Sequence, residues 1–335
     1  MLHAGRPMRI AVISDFHVMG PQERASADAS FEALRTDPHP VRRGLRRSLH
    51  RVRRRFWNAH PEWREEAFLK ALSHVREFDP DWVIANGDYG GDHGGVGVSD
   101  EATFESAAGV IRAIRRRFRN QCRFIFGDHD LGKYSTLLRG GGIRLRSLQL
   151  GEEQLGIPSF WHEQDEDTHL IGVNSSLFTL DQFLPEALVH EIPEWEKRRA
   201  HHHHEVSEAF RHLPSRARVL LFCHDPSALH VLSQLPAVRN RLGQIERTVI
   251  GHLHSPGLLQ LARLLPRKPG GWKPRYPVAR IIAQGLEGVN SWAQFRPVVC
   301  PSTFGTGHHI RGGLLFIERD AHGRLQVRRR RVHKR

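Results

Sequence analysis

Short apolar runs that alternate with longer amphipathic stretches are the feature that most restricts how this chain can fold. Each run has the length and the apolar content of a buried strand. The runs are Met8–Ser14, Asp81–Asn86, Cys122–Phe126, His169–Val173, Arg218–Cys223, Thr248–Ile250 and Ala279–Ile282. A chain that alternates buried strands with amphipathic helices is typical of a layered α/β domain, and we predict that fold class.

Two of the stretches between these runs have a clear helical repeat. Apolar residues recur three and four positions apart over residues 63–78, which predicts a helix with one buried face. A second helix is predicted over about residues 101–119, with Ser99 or Asp100 available as its N-cap. These helices would cover the face of a sheet.

The chain shows no internal repeat and no linker. Residues 140–142 and 266–276 are rich in glycine or proline, but both segments are short enough to be surface loops. Two strand-like runs flank a turn between Gly313 and Val332, which predicts a C-terminal hairpin. We therefore expect residues 1–335 to form one domain, into which residues 36–62 are inserted as a basic amphipathic segment.

Composition argues against several other classes of protein. With 39% hydrophobic and 26% charged residues, the chain resembles a soluble globular protein. Its three cysteines form no Cys-x-x-Cys pair, which argues against a disulfide framework or a thiolate zinc site and favours a reducing cytoplasm. No apolar run is long enough to span a membrane. The formal net charge of +14 predicts an anionic partner.

Histidines and aspartates follow several of the predicted strands directly. They are Asp15 and His17, Asp88, Asp128 to Asp130 with His129 between them, His224, and His252 with His254. Because the carboxyl ends of parallel strands meet at one edge of a sheet, we expect these side chains to converge there. Imidazoles and carboxylates together suit Mn²⁺, Fe or Zn²⁺, and the set is larger than one ion needs. Two neighbouring ions activate water and hold a phosphoryl group, so the pattern predicts phosphoester hydrolysis.

Glycines precede three of these groups. Gly87, Gly127 and Gly251 each stand at the end of a predicted strand, where a positive φ or a close approach of two backbones is expected. A single Gly-Asp or Asp-x-His pair is usually an ordinary turn. The ordered series is what indicates a metal site.

In this order and on these elements, the series resembles the calcineurin-like metallophosphoesterases. The resemblance covers residues 8–255, through the motifs Asp15-x-His17, Gly87-Asp88, Gly127-Asp128-His129-Asp130, His224 and Gly251-His252-x-His254. It implies a four-layer α/β/β/α sandwich with two divalent metal ions and a metal-bridging hydroxide as the nucleophile. It also implies the ligand sets: Asp15, His17 and His254 for one ion, His224 and His252 for the other, and Asp88 between the two.

The third motif departs from the family. The family has an asparagine ligand where this chain has Asp128. A carboxylate coordinates a metal at least as well as an amide oxygen, so we interpret Asp128 as a ligand; the alternative is a damaged second site. The resemblance makes His129 the group that protonates the leaving oxygen or stabilises the phosphoryl charge, with Asp130 orienting its ring. Asp92 is interpreted as a loop residue and Cys223 as a buried thiol.

The insertion contains a basic segment at Val41–Trp57. Its apolar residues recur at helical spacing while arginines occupy the other faces, which is typical of a basic amphipathic helix. Such a helix binds an anionic membrane surface or a nucleic-acid backbone. We expect one of these contacts through Arg42–Arg55, or none if the helix only packs on the domain with a solvated basic face.

A run of four histidines, His201–His204, stands in a stretch that predicts a helix. It is interpreted as a solvated helix face rather than as a metal site. It is therefore left out of the candidate active site.

These observations predict an enzyme that hydrolyses phosphomonoesters, phosphodiesters or pyrophosphates. Two alternatives within that class stay open: a nuclease, suggested by the charge, and a UDP-acyl-sugar pyrophosphohydrolase, suggested by the basic insertion. Outside the class, a non-catalytic scaffold could use the same fold, but the complete set of ligand-type residues argues against it. The expected partner is an anionic phosphorylated substrate, and no protein partner is inferred. The expected location is the cytoplasm, with peripheral membrane contact as an option.

Overall fold

The computed structural model describes residues 7–27, 61–132, 141–253, 259–260, 288–303, 305–306, 310–320 and 322–332. Four sequence predictions lie outside these residues. They are the basic helix at Val41–Trp57, the surface loop over residues 266–276, the strand at Ala279–Ile282 and the predicted metal ligand His254.

The described strands and helices alternate along the chain. The strands are β1 (Met8–Ile13), β2 (Trp82–Asn86), β3 (Cys122–Ile125), β4 (Phe160–Asp165), β5 (Thr168–Val173), β6 (Arg218–Cys223), β7 (Ile245–Ile250), β8 (Pro297–Val299), β9 (Gly305–Thr306), β10 (Ile310–Arg311), β11 (Gly313–Arg319) and β12 (Leu325–Arg331). The helices are α1 (Pro61–Phe78), α2 (Glu101–Phe118), α3 (Asp128–Leu131), α4 (Leu145–Glu153), α5 (Ser175–Phe178), α6 (Leu180–Phe183), α7 (Ile192–Arg211), α8 (Ala228–Gln234), α9 (Pro236–Arg239) and α10 (Val289–Trp292). Residues 21–27 are also helical.

Two five-stranded sheets form the centre of the fold. The first sheet has the strand order β12-β11-β1-β2-β3, and the second has the order β4-β5-β6-β7-β8. Strands β1, β2 and β3 are parallel to one another, and so are β5, β6, β7 and β8. The antiparallel strands β4, β11 and β12 lie at the sheet margins. The carboxyl ends of the parallel strands in each sheet therefore share one edge.

Apolar side chains fill the space between the two sheets and cover both outer faces. Ile10 and Val12 of β1 pack with Leu220 and Phe222 of β6 between the sheets. Helices α1 and α2 cover the outer face of the first sheet, and α7 and α8 cover that of the second. The layers are therefore helix, sheet, sheet and helix, which confirms the predicted α/β/β/α sandwich.

The predicted helices and the C-terminal hairpin are confirmed. Asp100 is the N-cap of α2, where its side chain accepts a hydrogen bond from the Thr103 amide at 2.8 Å. Strands β11 and β12 pair antiparallel over their whole length. Among the described helices, none is both long and apolar enough to cross a membrane.

The histidine run lies in α7, and the prediction of a solvated face is wrong for half of it. His201 and His204 are mostly exposed. His202 is buried, and the ring of His203 stacks on Phe178 at 4.7 Å. Successive helical residues point about 100° apart, so four consecutive histidines cannot share one face of a helix that packs on a sheet.

Candidate metal centre

The predicted ligands meet at the carboxyl edge of both sheets. Asp15 and His17 follow β1, and Asp88 follows β2. Asp128 follows β3 and begins α3, while His224 and His252 follow β6 and β7. These six residues thus come from both sheets and from five different strands. All but His252 have buried side chains, and His252 is 24% exposed.

The backbone at this edge is strained in a repeated way. Asp15, His17, Asp88 and His252 have φ angles of 52°, 43°, 61° and 53°. Residues other than glycine rarely adopt this left-handed conformation, and they keep it only where the surrounding structure imposes it. Here this conformation turns the chain sharply after each strand. The turn brings the ligand side chain back over the edge of the sheet.

Three glycines allow the strand ends to approach one another. Gly87 has a φ of 85°, and a Cβ there would lie 2.7 Å from Nδ1 of His224. A Cβ on Gly127 would collide with the Asp88 carboxylate, and one on Gly251 would lie 3.0 Å from Oδ2 of Asp15. The predicted need for glycine before these ligands is therefore confirmed.

The tautomer of His224 is defined by its surroundings. Its Nδ1 lies 2.6 Å from the carbonyl oxygen of Asn86, which can only accept a hydrogen bond, so Nδ1 carries the proton. In the neutral ring Nε2 then presents a lone pair. That atom faces three carboxylate oxygens: Oδ2 of Asp88 at 3.2 Å, Oδ1 of Asp128 at 3.4 Å and Oδ1 of Asp15 at 3.9 Å.

This donor set fits a divalent cation. A lone pair and three carboxylates around one buried point repel one another unless a positive charge lies between them. Burial alone would lower the pKa of His224, but Asp88, Asp128 and Asp15 raise that pKa well above its usual value. Burial likewise would raise the pKa of Asp88, yet His224 holds it well below its usual range. The position thus attracts positive charge strongly.

Among the described residues, the potential ligand atoms form three overlapping groups, in each of which all atoms lie within 4.8 Å of one another. The groups are His17 with Asp88 and His129, Asp15 with Asp88 and His224, and Asp128 with His224 and His252. Asp88 and His224 each belong to two groups. A cluster with shared members at this spacing suits two neighbouring ions, with Asp88 at a shared position.

His129 lies beside the cluster at the start of α3. Its amide donates to Oδ1 of Asp88 at 3.0 Å, and its ring meets the His17 ring edge-on at 5.0 Å. Its Nδ1 lies 3.3 Å from Oδ2 of Asp92, whose other oxygen accepts from the Gly97 amide at 2.8 Å. The carboxylate beside the His129 ring is therefore Asp92, which the sequence had indicated to be a loop residue.

The expected contact between Asp130 and the His129 ring is corrected by the structure. The Asp130 carboxylate accepts hydrogen bonds from the amides of Asp88 at 2.9 Å, Tyr89 at 2.9 Å and Gly127 at 2.8 Å. It thus ties the loop after β2 to the loop after β3. Burial, followed by the charge of Asp88, raises the pKa of Asp130 to about 7. The physical reason for the difference is helical geometry, since adjacent residues of α3 point in different directions.

Further residues support the ligands and were missed from the sequence. Ser14 donates to Oδ2 of Asp15 at 2.6 Å, and Ser302 donates to the carbonyl oxygen of Asp15 at 3.0 Å. The buried Arg64 of α1 donates to the carbonyl oxygen of His17 at 3.0 Å. Arg64 stands on the apolar face of a predicted amphipathic helix, and a charged residue in that position was the available signal. The contact of Ser302 depends on the tertiary structure, which the sequence pattern did not indicate.

The family described as calcineurin-like phosphoesterase matches residues 8–256 of this chain. Since that match covers most of the sequence, the chain belongs to the calcineurin-like phosphoesterase family, as the resemblance had predicted. The comparison with curated proteins gave no match.

Solved structures with similarity to this chain include a dimetal phosphatase from Danio rerio and a phosphopantetheinyl hydrolase from Mycobacterium tuberculosis. The first is 12% identical with a TM-score of 0.48, and the similarity covers 98% of each chain. The second is 14% identical with a TM-score of 0.35, and it covers 75% of this chain and 85% of the other.

Proposed function

We propose that this phosphoesterase uses two divalent metal ions at the described cluster to hydrolyse phosphomonoesters, phosphodiesters or pyrophosphates. The observation that carries this proposal is the environment of His224, whose buried Nε2 faces three carboxylate oxygens within 4 Å. A buried arrangement of this kind requires a positive charge at its centre. Mn²⁺, Fe and Zn²⁺ all suit a mixed set of imidazole and carboxylate ligands.

The residues divide into two ligand sets under this proposal. Asp15 and His17, together with His254, would hold one ion, and Asp128, His224 and His252 would hold the other. Asp88 would contact both. When bound, the two ions supply an activated water and neutralise the charge of the phosphoryl oxygens. The left-handed backbone and the glycines hold the side chains in place before any ion binds.

Under this proposal His129 acts on the substrate next to the cluster. Its Nδ1 lies 3.3 Å from the Asp92 carboxylate, so its Nε2 is the atom that would donate a proton to the leaving oxygen or a hydrogen bond to the phosphoryl group. The Asp92 carboxylate would then orient the ring. Asp130, the residue after His129, contributes in another way. Its carboxylate accepts hydrogen bonds from backbone amides and so holds the loops that carry Asp88 and Asp128.

Metal analysis and hydrolysis of two chromogenic esters test this proposal. The purified chain should contain divalent metal and, with added Mn²⁺, should hydrolyse p-nitrophenyl phosphate, bis-p-nitrophenyl phosphate or both. Asp88→Asn should lose most of the metal and nearly all turnover while the circular dichroism spectrum stays unchanged. Asp181→Asn, the same change at a mostly exposed residue, is the matched control and should retain both. A chain that binds no metal and hydrolyses neither ester would instead be a scaffold on this fold.

A further inference from the structure

The last strand of the first sheet carries four consecutive arginines at an open sheet edge. Strand β12 pairs with β11 on one side only, so its other edge is free within the described part of the sheet. The arginine row consists of Arg328, Arg329, Arg330 and Arg331, and all four are exposed.

Most of this positive charge is not neutralised by the residues around it. Arg328 forms an ion pair with Glu318 of β11. Among the described residues, no carboxylate lies within ion-pairing distance of Arg329, Arg330 or Arg331. Positive charges without a counter-charge among the described residues repel one another, which favours an anionic partner from outside the chain.

The arginine row runs toward the candidate metal centre. Arg331 pairs with Gly313 at the end of β11 that lies beside the carboxyl end of β1. The Gly313 amide donates to the carbonyl oxygen of Ser302 at 2.9 Å, and Ser302 in turn donates to the carbonyl oxygen of Asp15 at 3.0 Å. Two hydrogen bonds thus connect the end of the row to the segment that carries a candidate ligand.

The spacing of the arginines indicates the shape of the partner. In a strand, successive side chains point to opposite faces, and residues two apart are separated by about 6.6 Å. Arg329 and Arg331 therefore extend from one face of this edge strand and Arg328 and Arg330 from the other, so the four residues line the open edge from both faces and do not converge on one point, as recognition of a single phosphate requires. The inward side chains of the same strand, Leu325 and Val327, are partly buried against the core, so β12 presents no apolar side chain for insertion into a membrane. A flexible chain of regularly spaced phosphates fits this surface best.

We propose that the arginine row binds the phosphate backbone of a nucleic-acid strand and leads it to the metal centre. This inference rests on the proposed function and deepens it, because it names nucleic-acid phosphodiesters as the substrate class. The described part of β12 contains no aromatic side chain, so contacts of the row would be with phosphates, and binding would depend strongly on salt and little on base sequence.

Fluorescence anisotropy with labelled 20-nucleotide single strands of RNA and of DNA tests the proposal on the full-length, metal-loaded protein. Replacing Arg329, Arg330 and Arg331 together by Gln should raise the Kd for the preferred strand about tenfold or more in 100 mM salt. The same triple variant should reduce the slope of log Kd against log salt by about 2, as the loss of three phosphate contacts predicts. Replacing the same three residues by Lys should keep the Kd within about threefold, because the charge is retained.

The control for net charge replaces Arg112, Arg116 and Arg239 by Gln, since these exposed residues lie on helices away from β12. Equal weakening by this control would overturn the proposal, because general charge would then explain binding. So would an unchanged Kd in the β12 variant. Binding of the wild-type chain to phosphatidylserine vesicles, without binding to either oligonucleotide, would overturn the proposal as well. If the wild-type chain hydrolyses chromogenic esters but binds no oligonucleotide, this inference fails while the proposed function stands. If it binds oligonucleotides through the row but holds no metal, only the proposed function fails.

Discussion

Two aspartates near His129 have different contacts, and they should therefore have different roles. Asp92 lies beside the His129 ring, whereas Asp130 accepts three backbone hydrogen bonds. Both residues are buried, and the sequence had indicated the opposite assignment, with Asp130 beside the ring and Asp92 in a loop. The difference can be measured by the same substitution at each position.

Asp92→Asn should reduce kcat by about 10- to 100-fold, because the neutral amide removes the negative charge beside the His129 ring and orients the ring less well. The amide oxygen can still accept from the Gly97 amide, so the melting temperature should stay close to that of the wild type. Asp130→Asn should instead lower the melting temperature, since an amide cannot accept three hydrogen bonds as a carboxylate does. Steady-state kinetics and thermal unfolding of both variants check this; loss of stability in Asp92→Asn with normal kcat would contradict it.

Asp128 is the residue at which this chain differs from its family, and its contacts explain how a carboxylate is accommodated. Its Oδ1 lies 2.9 Å from Nδ1 of His252 and 3.4 Å from Nε2 of His224. The substitution Asp128→Asn preserves the size of the side chain and removes one negative charge from the cluster. We expect activity to remain, with the metal concentration for half-maximal rate raised about tenfold, because a carboxylate attracts a cation more strongly than an amide.

A titration of the metal-free protein with Mn²⁺, followed both by calorimetry and by ester hydrolysis, measures this effect. If Asp128→Asn and wild type reach the half-maximal rate at the same metal concentration, Asp128 does not bind an ion. Complete loss of activity at saturating metal would show that the carboxylate has a role beyond ligation.

At the level of single elements, the burial of His202 in α7 predicts how the free energy of unfolding depends on pH. Burial, followed by the charges of His203 and His201, lowers the pKa of His202 to about 3. The unfolded chain therefore binds a proton below about pH 6.5 that the folded chain does not bind, so the stability from this residue falls as the pH falls from 6.5 toward 3.

The free energy of unfolding should decrease by up to about 1.4 kcal/mol per pH unit in this range on account of His202 alone. Other histidines also take up protons in this pH range, so the effect of His202 is measured by comparing variants with the wild type. Urea unfolding at pH 6.5 and pH 5.5 should show a loss for His202→Leu that is about 1 kcal/mol smaller than for wild type. His204→Leu, at a mostly exposed position of the same helix, should lose as much as wild type. Equal losses in all three proteins would mean that His202 is protonated in the folded state.

At the level of the whole molecule, an ionic cluster joins the two sheets at the end opposite the metal centre. Glu246 of β7 accepts from Arg218 of β6 at 2.8 Å and pairs with Arg319 of β11 in the other sheet. Both arginines also donate to the carbonyl oxygen of Gly323, in the turn before β12. Burial alone would raise the pKa of Glu246, but the two arginines lower it below its usual value.

Glu246→Gln should lower the free energy of unfolding by about 1–2 kcal/mol at neutral pH. The effect is smaller than for a fully buried ion pair, because the side chain is partly exposed and solvent screens its charge. Since the folded pKa is lowered, this contribution is complete above pH 4.5 and is lost as the pH falls through the folded pKa. Chemical unfolding at pH 7 and pH 3 measures it: the difference between wild type and variant should be smaller at pH 3 than at pH 7. Turnover of chromogenic esters should stay the same, because the cluster lies at the far end of the strands.

The sequence by itself determined the layered α/β class, the strands that carry the ligands and the glycines before them, because these features depend on local apolar periodicity and on short-range backbone geometry. Asp15, His17, Asp88, Asp128, His224 and His252 could be selected because each directly follows a strand. Only the tertiary structure decided that Asp92 and not Asp130 lies beside the His129 ring, that His202 is buried, and that β12 lies at the edge of the first sheet. These outcomes depend on how α3 and α7 are oriented and on which strand lies at the sheet edge. Contacts between residues far apart in the chain decide such matters, and no local pattern in the sequence encodes them.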